Sequence, residues 1–133
     1  MTRPARTPHD IECWLTDMDG VLVHEDRALP GAVELIDSWI ATSRRFLVLT
    51  NNSTWTPRDL AARLERAGLH VPEENLWTSA MATAAFLAGQ PGKKTAYVIG
   101  EAGLTTALHD AGFVLTDVDP DYVLPGVADL LDV

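Results

Sequence analysis

Lysine is nearly missing from this chain: Lys93 and Lys94 are the only two, beside eight arginines spread from Arg3 to Arg66. Acidic residues outnumber basic ones by nineteen to ten, which leaves a net charge of -9. Binding to a nucleic-acid backbone rests on clustered Lys and Arg, so no such partner is expected. A single cysteine, Cys13, excludes an internal disulfide, and its place in an apolar run predicts a small buried hydrophobe. No stretch approaches the length of a membrane span, and the N-terminus lacks the apolar core of a signal peptide. The expectation is a cytoplasmic protein with no membrane partner. Repeats of fixed period and low-complexity segments are also lacking. The four histidines, His9, His24, His70 and His109, share no metal-ligand spacing and read as surface residues.

What is present is an ordinary globular composition, 47% hydrophobic and 22% charged over 133 residues, enough for one compact domain with a real core. Its organising stretch is residues 11–22, IECWLTDMDGVL. Ile11, Cys13, Trp14 and Leu15 form a short apolar run that closes on two carboxylates, Asp17 and Asp19, and then Gly20. Such a run suits a strand buried on both faces. Residues two apart in extended chain point to the same side, which brings Asp17 and Asp19 together just past the strand end. Gly20, without a Cβ, permits a sharp turn there. Two carboxylates held this close repel unless a cation sits between them. The natural one is a hard ion such as Mg²⁺, which prefers carboxylate oxygen and keeps several waters. The plainer reading is a polar turn with two solvated aspartates. A calcium EF-hand loop is excluded by counting, because Gly20 stands fourth where it should stand sixth, and Val21 and Ala28 occupy ligand positions five and twelve.

Residues 1–10 carry Pro4 and Pro8 and no apolar periodicity, the pattern of a loose tail. Residues 23–30 are mixed and polar. Over 32–42, Val33, Ile36, Trp39 and Ile40 recur at three- and four-residue spacing, which predicts an amphipathic helix. A second apolar run, 46–49, ends in Thr50-Asn51-Asn52-Ser53-Thr54. Strand, helix, strand at this spacing is a βαβ unit with parallel strands and a right-handed crossover. Both polar clusters then leave the same carboxyl edge of one sheet, where open α/β sheets bind ligands. Thr56 caps a further helix with Pro57 first and Asp59 three residues on, and Gly68 stops it. Leu60, Ala61, Leu64 and Ala67 face inward on it. Strands are predicted at 76–78, 96–99, 113–115 and 122–124, and helices at 79–87 and 101–111, with a last helical turn at 127–131. Trp14, Trp39 and Trp77 fall on core faces, while Trp55 sits beside the Asn cluster at the expected mouth of the site.

Two patterns that mimic nucleotide sites fail on context. Residues 89–95, GQPGKKT, have the wrong glycine spacing for a phosphate loop and lead into a strand rather than a helix. Ile99-Gly100-Glu101-Ala102-Gly103 sits between strand and helix but lacks the dinucleotide glycine series, and its Glu101 favours capping over anion binding.

Asp17-Met18-Asp19-Gly20-Val21-Leu22 together with Thr50-Asn51-Asn52-Ser53-Thr54 resembles the haloacid dehalogenase superfamily. The closer similarity is to its NagD-like and 4-nitrophenyl-phosphatase-like class, which inserts a large cap after the second motif. It extends from about residue 11 to 124, including residues 76–83 and 97–101. The resemblance implies a three-layer, Rossmann-like α/β domain with a mostly parallel sheet, and a Mg²⁺-dependent phosphohydrolase of small phosphorylated metabolites. Asp17 matches the nucleophile that forms an aspartyl-phosphate, and Asp19 the general acid and base. Asp17 and Asp19 are also the expected metal ligands. Thr50 matches the hydroxyl that holds a phosphoryl oxygen, with Asn51 and Asn52 beside it. The chemistry is consistent, since phosphoryl transfer asks mainly for positioning and charge neutralisation.

The family also carries a later lysine and a Gly-Asp motif, and nothing after Asn52 matches either. Lys93 and Lys94 precede a strand, and the acidic run Asp117, Asp119, Asp121 lacks the glycine and reads as a solvated loop. Residues 123–130 resemble the family's chain end, as if two distant segments met near Asp121. The resulting expectation is a loose tail over 1–10, a core half over 11–80 and the start of a cap over 81–124. Residues 125–133 make the family-like ending. Such a domain is incomplete, impaired as a phosphatase, and prone to self-association through uncovered edges. Two other classes stay open: a non-catalytic phosphate-binding or interaction module, and a phospho-accepting receiver-like domain. The latter needs an aspartate where this chain has Thr78-Ser79.

Overall fold

The computed structural model describes residues 10–124 together with Pro4, Ala5 and Thr7. Most of the expected tail, the last helical turn and the family-like ending over 125–133 lie outside the described residues. Strand β1 (Cys13–Asp17) is followed by two short strands, β2 (Val23–His24) and β3 (Arg27–Ala28), then helix α1 (Ala32–Ala41) and β4 (Arg45–Thr50). Next come α2 (Pro57–Arg66), a 3-10 turn (Glu73–Asn75), β5 (Leu76–Thr78) and α3 (Ser79–Ala88). The order ends with β6 (Thr95–Val98), α4 (Ala102–Asp110), β7 (Val114–Leu115) and β8 (Tyr122–Leu124).

The apolar runs assemble into two parallel sheets of three strands, ordered β1-β4-β5 and β7-β6-β8. Parallel strands need crossovers: α1, α2 and α4 carry the chain from β1 to β4, β4 to β5 and β6 to β7, while residues 116–121 pass from β7 to β8 without a helix. Thr56 caps α2 as its sequence predicts: its hydroxyl accepts from the Asp59 amide at 3.1 Å and donates to the Asp59 carboxylate at 2.8 Å. Gly68 takes a left-handed φ of 89° just past that helix.

Side chains from alternate positions of β1, β4 and β5 meet α1 and α2 on one face of the first sheet. Phe46, Val48, Leu76, Ile36, Trp39, Leu60 and Leu64 form a single buried cluster there. Trp14 stacks on Trp39 with ring centres 5.8 Å apart, and Trp39 lies 5.2 Å from Phe46. A second cluster of Ala84, Ala96, Leu108 and Phe113 is built between α3, α4 and the second sheet. Ile36→Ala, at a fully buried site of α1, is expected to cost about 2–5 kcal/mol. Urea unfolding with an unchanged m-value would show it.

Three expectations change. β1 is not buried on both faces: Leu15 is 63% exposed and Cys13 lies on the surface. The reason is its place at the sheet edge with both helices on the opposite face, so Cys13, Leu15 and Trp77 meet no covering layer among the described residues. Trp77 accordingly leaves the core at 38% exposure, and Ile40 sits on the outer side of α1. This is the α/β fold that the sequence predicts, in an incomplete form. The third change is the β2–β3 hairpin, which periodicity did not reveal. Glu25 and Asp26 form its tip with φ of 47° and 62°, in place of the Asn-Gly that usually marks such a turn.

Candidate active site

The parallel register puts Asp17 opposite Leu49 and Thr50 opposite Thr78, so both polar clusters emerge at one carboxyl edge. Past β1 the chain makes one tight turn, in which the Leu22 and Val23 amides both donate to the Met18 carbonyl at 3.0 and 3.2 Å. Gly20, at φ 79°, donates its own amide to the Val23 carbonyl at 2.8 Å. Met18 and Leu22 anchor this turn in the core, leaving Asp17 and Asp19 exposed.

Asp17 Oδ1 accepts from the Met18 amide at 2.9 Å. Thr50, buried at the end of β4, donates its hydroxyl to Asp19 Oδ2 at 3.1 Å and accepts from the Asn52 amide at the same distance. Asn52 Oδ1 in turn accepts from the Thr54 and Trp55 amides at 2.9 and 3.0 Å, so it shapes its own loop. The Asn51 carbonyl accepts from Ser79 Oγ at 2.8 Å, which ties the loop to the start of α3. Asp19 and Asn52 line a cavity of about 150 Å³ together with Glu25, Asp26 and Arg63, whereas Asp17, Thr50 and Asn51 lie outside it. Sequence reasoning missed Arg63, because a basic residue in the last turn of a helix has a sufficient local reason in the helix dipole.

Two carboxylates with free oxygens suit Mg²⁺, which takes one or two protein carboxylates and completes its octahedron with water and phosphate. Among the described residues no group of three or more His, Cys, Asp or Glu is placed to hold a metal. The acidic run stands apart from this arrangement: an Asp121 carboxylate oxygen accepts from the Lys93 amide, and the Asp121 amide donates to Thr95 Oγ1 at 3.0 Å. It braces the turn into β6. His70 pairs with Glu65 at 2.7 Å on the surface. No helix among the described residues is long and apolar enough to cross a membrane.

The loop that follows Thr50 is also held from the far side. The Gly103 amide, at the start of α4, donates to the Thr54 carbonyl at 2.8 Å. A Cβ on Gly103 would press on the Ser53 carbonyl and stand 2.6 Å from the Trp55 carbonyl. Gly103→Ala is therefore expected to destabilise by about 1–3 kcal/mol through overpacking, measurable as a lowered urea midpoint.

The chain is 56% identical over 113 residues to dihydroxyacetone phosphatase of Corynebacterium glutamicum, covering 85% of this chain and 41% of that protein. Against ribonucleotide monophosphatase NagD of Escherichia coli K12 the identity is 47% over 112 residues, with coverage of 84% and 44%. The solved structure of NagD from Escherichia coli K-12 superposes with a TM-score of 0.79 at 46% identity, covering 85% of this chain and 45% of that one. A 4-nitrophenylphosphatase from Thermotoga maritima gives 0.75 at 30% identity, covering 85% and 43%. The chain thus spans less than half the length of these relatives, and the NagD-like and 4-nitrophenyl-phosphatase-like resemblance holds over that span. A family model described as haloacid dehalogenase-like hydrolase matches residues 14–114, most of the described chain, and the protein belongs to that family.

Proposed function

We propose that this chain carries the phosphoryl-transfer chemistry of a phosphate-monoester hydrolase acting on small phosphorylated metabolites. The observation that carries the reading is the Thr50–Asp19 hydrogen bond of 3.1 Å, which joins the two polar clusters at one sheet edge. In this reading the Asp17 carboxylate attacks phosphorus in line and the ester oxygen leaves, forming an aspartyl-phosphate. Asp19 delivers a proton to that oxygen and then takes one from the water that cleaves the aspartyl-phosphate. Thr50 orients a phosphoryl oxygen once its hydroxyl proton turns from Asp19 to the substrate, and Asn51 and Asn52 shape the loop around it. Mg²⁺, when bound beside Asp17 and Asp19, neutralises charge on the phosphate. Residues 11–80 supply this chemistry and 81–124 begin the cap.

Phosphatase names among the relatives support the same class of reaction. Among the described residues the face around Leu15 and Trp77 is uncovered and β1 pairs on one side alone, which favours self-association. Purified chain incubated with p-nitrophenyl phosphate and Mg²⁺ is expected to release phosphate slowly, below the ordinary enzyme range of about 1–10³ s⁻¹, and to lose that activity with a chelator. Saturable phosphate binding without any turnover would instead favour the binding-module reading.

A further inference from the structure

The hairpin that continues the Asp19 turn is a weak element by itself. It has two pairs of residues, Val23 with Ala28 and His24 with Arg27, and isolated two-stranded hairpins are marginal in water. Its tip is uphill at Glu25, whose left-handed φ most residues with a Cβ avoid, whereas Asp26 beside it is of a type that tolerates that region. The hairpin's base is held by Val23, buried in the core, and by the Gly20 amide on the Val23 carbonyl; its tip is reached by one side chain from α2. Arg63 Nη2 donates to Asp26 Oδ1 at 2.6 Å across 37 positions of sequence. The Arg63 side chain is only 31% exposed, and its guanidinium carbon lies 5.1 Å from the centre of the Trp55 ring. Trp55 is fixed in turn by Asn52, whose side chain accepts its amide hydrogen at 3.0 Å.

We propose that Arg63 is a positioning residue: paired with Asp26 and stacked on Trp55, it closes a clasp that binds the β2–β3 hairpin to the Asn52 loop and so keeps Asp19 in reach of Thr50. The clasp spans the cavity lined by Asp19, Asn52, Asp26 and Arg63, joining the two segments that carry the polar clusters. Arg63 forms its ion pair with Asp26 and does not share a hydrogen bond with Asp17, Asp19 or Thr50 among the described residues. Its catalytic consequence rests on Asp19 being the acid and base; the clasp does not.

Amide hydrogen exchange by mass spectrometry on the full chain tests it, using Asp26→Asn, Arg63→Gln and Arg63→Lys. Asn tolerates the left-handed turn, so Asp26→Asn removes charge without forcing the tip to refold. Exchange over residues 18–28 is expected to rise about twofold to fivefold in Asp26→Asn and at least as much in Arg63→Gln, which also loses the cation on Trp55. It should stay unchanged over 45–50 and return most of the way in Arg63→Lys. On p-nitrophenyl phosphate kcat is expected to fall with KM nearly constant, because Asp19 is misplaced while the phosphate contacts persist. Unchanged exchange over 18–28, or a uniform rise along the chain, would overturn the clasp. A chain that hydrolyses nothing refutes the phosphatase reading alone, and the exchange result then decides the clasp by itself.

Discussion

Asp17→Asn is expected to abolish phosphate release, by about 10³ or more, since the amide cannot form the acyl-phosphate bond and no neighbouring group substitutes for a removed nucleophile. The substitution leaves the fold nearly untouched. Asp17 is exposed at the end of β1, and its one hydrogen bond, from the Met18 amide to Oδ1 at 2.9 Å, is open to the Asn carbonyl oxygen as well. Folding stability should therefore hold within about 0.5 kcal/mol, as for surface changes generally. Initial rates with p-nitrophenyl phosphate and Mg²⁺, beside urea unfolding of the same samples, separate lost chemistry from lost structure. Activity that survives Asp17→Asn would point to another nucleophile and remove the basis for assigning Asp19 as its partner.

Thr50→Val should cost both stability and rate. The hydroxyl sits between two groups, donating to Asp19 and accepting from the Asn52 amide, at a residue only 5% exposed. Valine fills the space and leaves the half-buried Asn52 amide without its acceptor, while the exposed Asp19 turns to water, for a penalty of about 1–2 kcal/mol in unfolding free energy. Turnover is expected to drop by about 10²–10³, the usual effect of removing one preorganised hydrogen-bond donor. Thr50→Ser, which keeps the hydroxyl, should retain most of both. If Val and Ser variants turned over alike, the hydroxyl would have no part in holding phosphate, and Thr50 would be a packing residue at a strand end.

The first βαβ unit was legible because each of its signals is local. Ile36 and Trp39 sit three apart on a helix, the apolar run of β4 stops at Thr50, and Asp17 and Asp19 straddle the turn before Gly20. Errors arose where the answer depends on what lies alongside. The apolar run through Cys13 and Leu15 says strand, but cannot say that one face meets no helix. Trp77 alternates correctly within β5 and still faces outward for the same reason. In the candidate site, the Thr50–Asp19 contact followed from parallel topology, whereas the Asp26–Arg63 pair joins two residues whose local sequence contexts share nothing. The hairpin tip was invisible because a left-handed pair is signalled by Asn-Gly or Asp-Gly, and here Asp26 stands second, after a Glu that gives no such signal and without a glycine.

The seat of Gly103 against Ser53 and Trp55 ties the two hydrophobic clusters into one thermodynamic system. A tilt of α4 pulls on the backbone that runs from Thr50 to Trp55 through the Gly103–Thr54 bond of 2.8 Å. Linkage makes that coupling symmetric. A ligand that steadies the Asn52 loop is then expected to make opening of the β7-β6-β8 sheet less favourable, and whatever factor it adds to the affinity of a partner for that sheet, the partner returns to the loop.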